Sequence, residues 1–186
     1  MSRKKKGHAL KAEIESIVKA KKDIKEFDYL YRKYFPMINN FVYRRVYDFH
    51  AKNDIVSNTF CKAMKKIYLF RFFDAKKSSF SSWLYRIAIS EINQYYRNIQ
   101  RENKIIKEYK SNFVKSEPIE LDFEAVKEKV RKLPVDEQNL ITLRFYEKLS
   151  YKQMSEILRK SEGALKVKLH RCLKKLRNCL EKEQKK

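Results

Sequence analysis

The sequence predicts an all-α protein of two small helical domains joined by a flexible linker, and three observations carry that expectation. Apolar residues recur at three- and four-residue spacing along most of the chain, the signature of helices with one buried stripe. Only two glycines occur in 186 residues, Gly7 and Gly163, while Lys, Leu, Ile, Glu and Tyr abound. The stretch Leu149 to Arg177, LSYKQMSEILRKSEGALKVKLHRCLKKLR, reads as two helices around a tight turn, the second basic on one face and apolar on the other.

Taken in chain order, residues 1–22 carry eight basic and two acidic side chains and read as a basic N-terminal tail with one short helix. Residues 23–100 hold most of the aromatics and read as the first domain. Its first helical stripe is Phe27, Leu30, Tyr31, Tyr34, Ile38, Phe41, Val42 and Val46, with Pro36 expected to kink or break it. A second helix is expected from about Asp54 to Phe70, with Ile55, Thr59, Phe60, Ala63, Met64 and Ile67 inward. A loop spans Phe70 to Ser79. Ser81 or Ser82 then caps a third helix with Trp83, Leu84, Ile87, Ala88, Ile92 and Tyr95 on its core side. Tyr85, Arg86, Ser90, Asn93, Gln94 and Arg97 fall on the opposite side.

Residues 101–123 balance their charges, contain Pro118 and lack a sustained apolar period, so they read as the linker. The second domain covers residues 124–182. Pro134 opens a helix running to Phe145. Ser150 and Gln153 then form a capping box for the next helix, with Tyr151, Met154, Ile157 and Leu158 at helical spacing. Ser161 caps the last helix, where Leu165, Leu169, Cys172 and Leu176 make one buried stripe. Its other face carries Gly163, Lys166, Val167, His170, Arg171 and Lys174. That is the layout of a helix-turn-helix, whose second helix enters the DNA major groove.

The net charge of +22 exceeds what solubility requires and points to a polyanionic partner, nucleic acid ahead of an anionic membrane. The positive charge concentrates in the N-terminal segment, the first domain and residues 159–186, where eleven basic residues face three acidic ones. Two glycines cannot build a phosphate-cradling loop or a dinucleotide fingerprint. The three histidines are scattered without a nucleophile–base pattern, so neither catalysis nor a cofactor is expected. Cys61, Cys172 and Cys179 lack metal-site spacing, and Cys172 and Cys179 are read as core residues of a chain in a reducing, cytoplasmic setting. No apolar run approaches the roughly 20 residues of a spanning helix, and no secretory signal is expected.

Four segments in order carry a family resemblance. FDYLYRKYFPMINNFV, DIVSNTFCKAMKKI and FDAKKSSFSSWLYRIAISEINQYYRN resemble domain two of extracytoplasmic-function sigma factors. LPVDEQNLITLRFYEKLSYKQMSEILRKSEGALKVKLHRCLKKLR resembles domain four of the same family. The resemblance covers nearly all of residues 26–180 and implies a dissociable, non-catalytic subunit of bacterial RNA polymerase. It implies that domain two grips the polymerase clamp and melts the minus-ten promoter element. Domain four would read the minus-thirty-five element, and the linker would run near the RNA exit path. The implied partners are core polymerase, through its clamp and flap regions, and promoter DNA as duplex and melted non-template strand. An anti-sigma factor or an accessory recruiting protein would extend that set.

The chemistry of particular residues fits these roles. The segment around Phe70, Arg71, Phe72, Phe73, Lys76, Lys77, Phe80 and Trp83 interleaves rings and cations, as capture of an unstacked base requires. Phe80 and Trp83 are read as core, leaving Phe72, Lys76 and Lys77, with Asn93 and Arg97 on the third helix, as minus-ten candidates. On the recognition helix, Lys166, Lys168, Arg171 and Lys174 suit phosphates, which position without specifying. Glu162, Lys166, Val167 and His170 are candidates for base edges. The polymerase-binding candidates are Asp54, Ser57 and Asn58, where the family carries more acidic residues. Arg159 and Lys160 stand where the family favours a glycine and an apolar residue, which predicts a looser turn. A helix-turn-helix regulator acting on duplex DNA without polymerase is the alternative reading, and ring-rich base capture is the feature it leaves unused.

Overall fold

The computed structural model describes residues 3–71, 79–109 and 122–184. It divides into two compact units, Met1–Ile92 and Asn93–Lys186. Among the described residues, every regular element is a helix, and none is long and apolar enough to cross a membrane.

The first unit opens with α1 (Arg3–Lys22). The charge balance of this segment predicts a tail, but Ile17 and Ala20 are buried. Lys33 pairs with Glu13, and the Lys21 ammonium donates to the Phe70 carbonyl. The charges of α1 mask a sparse apolar stripe that packs into the unit. A 3-10 turn (Ile24–Phe27), capped by the Asp23 carboxylate on the Lys25 N–H, leads into α2 (Asp28–Tyr43). There Leu30, Tyr34, Ile38, Phe41 and Val42 are buried as their spacing predicts, whereas Tyr31 is exposed. The helix continues through Pro36, which sits on its exposed face. The backbone bond that proline removes would have ended on the solvent-facing Arg32 turn, where water can replace it.

Asp48 caps α3 (Phe49–Lys66), accepting from the Ala51 N–H at 2.6 Å, so the helix starts well before the expected Asp54. Ile55, Val56, Thr59, Phe60 and Ala63 are buried, while Met64 is half-buried. A 3-10 turn (Ile67–Leu69) ends this element. The cap of α4 (Phe80–Tyr109) is Ser79 rather than Ser81 or Ser82: its hydroxyl accepts from the Ser82 N–H at 3.2 Å and its carbonyl from Trp83. Leu84, Ala88 and Ile92 are buried on the expected side. Tyr85, expected on the opposite side, is buried too, edge-on to Phe41 at 5.2 Å between ring centroids. Ser82 and Glu91 are also buried, Glu91 paired with Lys62 at 2.6 Å. This helix is therefore covered over a wider arc than one stripe implies. Of the expected linker, residues 101–109 belong to α4, residues 122–123 begin α5, and residues 110–121 lie outside the described part.

The second unit contains α5 (Asp122–Lys132) and α6 (Val135–Ile141), with Pro134 as the cap of α6. The buried Gln138 amide donates to the Arg131 and Leu133 carbonyls, satisfying acceptors that the end of α5 leaves open. The expected helix to Phe145 changes character at Thr142–Tyr146, a π-helical turn closed by Glu147 N–H to Thr142 O at 3.0 Å. Lys148, at φ 53°, and the Leu149 N–H bonded to Leu143 O terminate it. Then follow α7 (Tyr151–Leu158) and α8 (Glu162–Gln184).

Cys172 is buried as expected, but Cys179 is exposed. The partners of α8 cover its stripe only as far as Leu176, and Leu180 is already half-buried. Burial and the neighbouring Glu137 carboxylate push the Cys172 thiol up to about 11. Because the thiolate is the reactive form, iodoacetamide at mildly alkaline pH should label Cys61 and Cys179 and spare Cys172. Peptide mass spectrometry checks this, and equal labelling of Cys172 in folded protein would contradict the packing of α8.

Candidate nucleic-acid interface

The second unit presents a helix-turn-helix in which local sequence dictates most of the geometry. The Ser150 hydroxyl accepts from the Gln153 N–H at 3.3 Å, and the Gln153 side chain accepts from the Ser150 N–H at 2.9 Å, which fixes the start of α7. Met154 and Ile157 are buried from α7. At its end Arg159 adopts the left-handed conformation, φ 53° and ψ 42°. The turn thus reaches without glycine the conformation expected to be loosened. Such a conformation is disfavoured for a side-chain-bearing residue, and here the Ser155 hydroxyl braces it by donating to the Lys160 carbonyl at 2.6 Å. Ser161 then caps α8, accepting from the Ala164 N–H at 3.2 Å.

Leu165, Leu169, Cys172 and Leu176 are all buried, so one side of α8 is committed to the core. The opposite side brings Glu162, Lys166, Val167, His170, Arg171 and Lys174 together in solvent. Val167 is 51 % exposed, an apolar contact available to a partner within a basic face. Lys168 differs from its neighbours. It is half-buried, with its ammonium 3.8 Å from Asp136, and this places it on the flank that packs against α6. Lys175 pairs with Glu137 at 3.1 Å on the same flank. These two acidic residues at the start of α6 hold the helix through its side and leave the basic face free of them.

In the first unit, Asp54, Ser57 and Asn58 share the exposed face of α3, opposite Ile55, Val56, Thr59 and Phe60. Phe72, Lys76 and Lys77 lie outside the described residues. The chain on either side of them converges on one ring cluster: Phe70 and Phe80 lie 5.2 Å apart, and Trp83 sits 5.4 Å from each. Phe70 and Phe80 are buried and Trp83 half-buried, so these three rings are structural, as expected for Phe80 and Trp83. Tyr68 and Leu69, which the helical pattern does not single out, are 65 % and 57 % exposed beside them. The 3-10 turn at Ile67–Leu69 rotates them away from the α3 stripe, a change that a uniform helical period does not signal.

On α4, Arg97 is exposed and donates to Gln94 at 2.9 Å. Asn93 is half-buried, and its Oδ1 finds no hydrogen-bond partner among the described residues. The two therefore do not share one open face equally; Arg97 is the accessible member.

The sequence matches two family models, Sigma-70 region 2 over residues 30–102 and Sigma-70, region 4 over residues 123–176. It is 29% identical over 170 residues to the RNA polymerase sigma factor YlaC of Bacillus subtilis (strain 168), covering 83% of this chain and 92% of that protein. Among solved structures, CnrH in complex with the cytosolic domain of CnrY is similar at a TM-score of 0.65 and 18% identity, over 89% of this chain and 95% of that one. The sigma factor RpoE of Bartonella quintana, in complex with the anti-sigma factor NepR, is similar at 0.62 and 21%, over 84% and 98%. At these identities the structural likeness is one of fold.

Proposed function

Because the chain belongs to the sigma-70 family, as an RNA polymerase sigma factor of the extracytoplasmic-function type, we propose that its two helical domains divide promoter recognition between them. In this reading residues 23–100 bind core polymerase and open the minus-ten element, residues 124–182 bind the minus-thirty-five element, and residues 101–123 connect the two functions. The observation that carries it is the split of α8 into a buried apolar stripe and an exposed basic face. A recognition helix needs that division, and it stands in the same chain as a region 2 match. The chemistry of RNA synthesis belongs to the polymerase, and this chain contributes binding and strand separation.

Lys166, Arg171 and Lys174 serve phosphates, with Glu162, Val167 and His170 positioned for base edges. Lys168 acts mainly through Asp136, in keeping α8 in place. Phe72, Lys76, Lys77 and Arg97 serve the melted minus-ten strand, with Asn93 beside Arg97. Asp54, Ser57 and Asn58 form the polymerase-facing patch. Partners beyond core polymerase and promoter DNA include an anti-sigma factor of the kind that accompanies RpoE or an accessory recruiting protein. The setting is cytoplasmic, where polymerase works.

The Asp54 carboxylate is the acidic group of the α3 patch, so Asp54→Arg should weaken capture of core polymerase by about tenfold or more and leave the thermal transition unchanged. Ile55→Ala should instead destabilise the first unit by about 2–5 kcal/mol, since Ile55 is buried. Titration of core polymerase against labelled full-length chain measures the first effect. Unchanged affinity for the Arg variant would remove this face from the polymerase contact. A chain that never copurifies with core subunits would favour a stand-alone duplex-binding regulator.

A further inference from the structure

Tyr151, the first residue of α7, is half-buried and lies where three segments meet. The Arg144 guanidinium stands 4.8 Å from the centre of its ring and the Lys166 ammonium 5.5 Å, both within cation–π range. Arg144 is itself fixed, since it donates to the Leu149 carbonyl at 2.8 Å and so secures the backbone leading into α7. The capping box fixes the same point from the other side. Among the described residues Lys166 has no such anchorage. It projects from the exposed face of α8, and the ring is what it rests on.

We propose that Tyr151 is a positioning residue for DNA recognition, holding the Lys166 ammonium at the DNA-facing side of the recognition helix. The inference rests on the assignment of that face to DNA. A lysine carries four rotatable side-chain bonds, and ordering them on binding typically lowers affinity about two- to tenfold. A ring that already restrains Lys166 reduces that loss. The same ring also carries the Arg144 guanidinium, which ties it to the backbone leading into α7. The contact joins the start of α7 to the second turn of α8, so it couples the angle of the two helices to the direction of the lysine. The core gains little from it, because Lys166 itself is exposed.

The test uses the full-length chain and a fluorescent duplex enriched from a random-sequence library by the unaltered protein, titrated across a salt series. Lys166→Ala should weaken binding and make the slope of log affinity against log salt less negative by about 0.9. Tyr151→Leu should weaken binding about two- to tenfold, and Tyr151→Phe, which keeps the ring, should bind as the unaltered chain does. The decisive quantity is the coupling: Lys166→Ala should cost clearly less in the Tyr151→Leu background than in the native one. An equal cost in both backgrounds overturns the proposal while leaving Lys166 as a DNA contact. A silent Lys166→Ala in the native chain overturns the assignment of the face itself. Independently of any variant that folds poorly, the Lys166 methylene protons of the native chain should show an upfield ring-current shift by NMR. Their absence from the shielded range would also overturn the proposal.

Discussion

Replacing Phe80 by Ala should lower the stability of the first unit by about 3–5 kcal/mol, the range for removing a buried aromatic side chain. Phe80 is 1 % exposed and contacts four rings: Phe27 at 6.4 Å, Tyr34 at 5.3 Å, Phe70 at 5.2 Å and Trp83 at 5.4 Å. It joins the 3-10 turn before α2, α2 itself, the residue after the 3-10 turn that follows α3, and the start of α4 at one point. Small domains have only about 5–15 kcal/mol in total, so the loss takes a large share of the margin. Trp83 is the single tryptophan of the chain and touches Phe80, so its fluorescence during urea unfolding reports this site directly. Because the same cluster frames the proposed minus-ten segment, strand opening should fail in this variant at temperatures where the second unit still binds duplex DNA. A change below about 1 kcal/mol, set against the range for buried aromatics, would mean that the ring cluster is not the organising contact of the unit.

Changing Lys166, Arg171 and Lys174 together to Ala should make the slope of log affinity against log salt less negative by about 2.7, three phosphates at about 0.9 each. Between about 50 and 200 mM salt, the unaltered chain should therefore lose roughly 40-fold more affinity than the variant. All three side chains are exposed, so folding should be unaffected. Lys168→Ala makes the internal comparison. Its ammonium is engaged beside Asp136, so its effect on the slope should be well below the value of about 0.9 for a phosphate contact. A triple variant with an unchanged slope would show that α8 does not lie against the DNA backbone.

Which features are legible in the sequence depends on how local their causes are. The capping box at Ser150 and Gln153 lies within a single helical turn, and the structure contains both of its hydrogen bonds. The stripe Leu165, Leu169, Cys172 and Leu176 follows from helical period alone and is buried throughout. Cys179 fits the same period but is exposed, because burial also requires a partner helix, and the partners end near Leu176. Tyr85 shows the reverse case: period places it outside, and Phe41 arriving from α2 covers it. Segment 1–22 reads as a tail because its charges outweigh its apolar residues, yet Ile17 and Ala20 suffice to seat a helix. The conformational cost at Arg159 predicts a loosened turn, and a hydrogen bond from Ser155 to Lys160 holds the segment beside it. For the interface, the exposed face of α8 is readable by elimination from its buried stripe. The pairing of Lys168 with Asp136, and of Tyr151 with Arg144 and Lys166, depends on contacts between helices that spacing along the chain does not encode.

In vitro transcription separates a polymerase subunit from a protein that only binds DNA. Purified bacterial core polymerase is supplied with the full-length chain on a library of genomic fragments, and transcript 5′ ends are mapped. Discrete start sites should appear only when the chain is added, share sequence near minus ten and minus thirty-five, and weaken with Asp54→Arg. A chain that binds duplex DNA yet produces no start sites with core polymerase would contradict it.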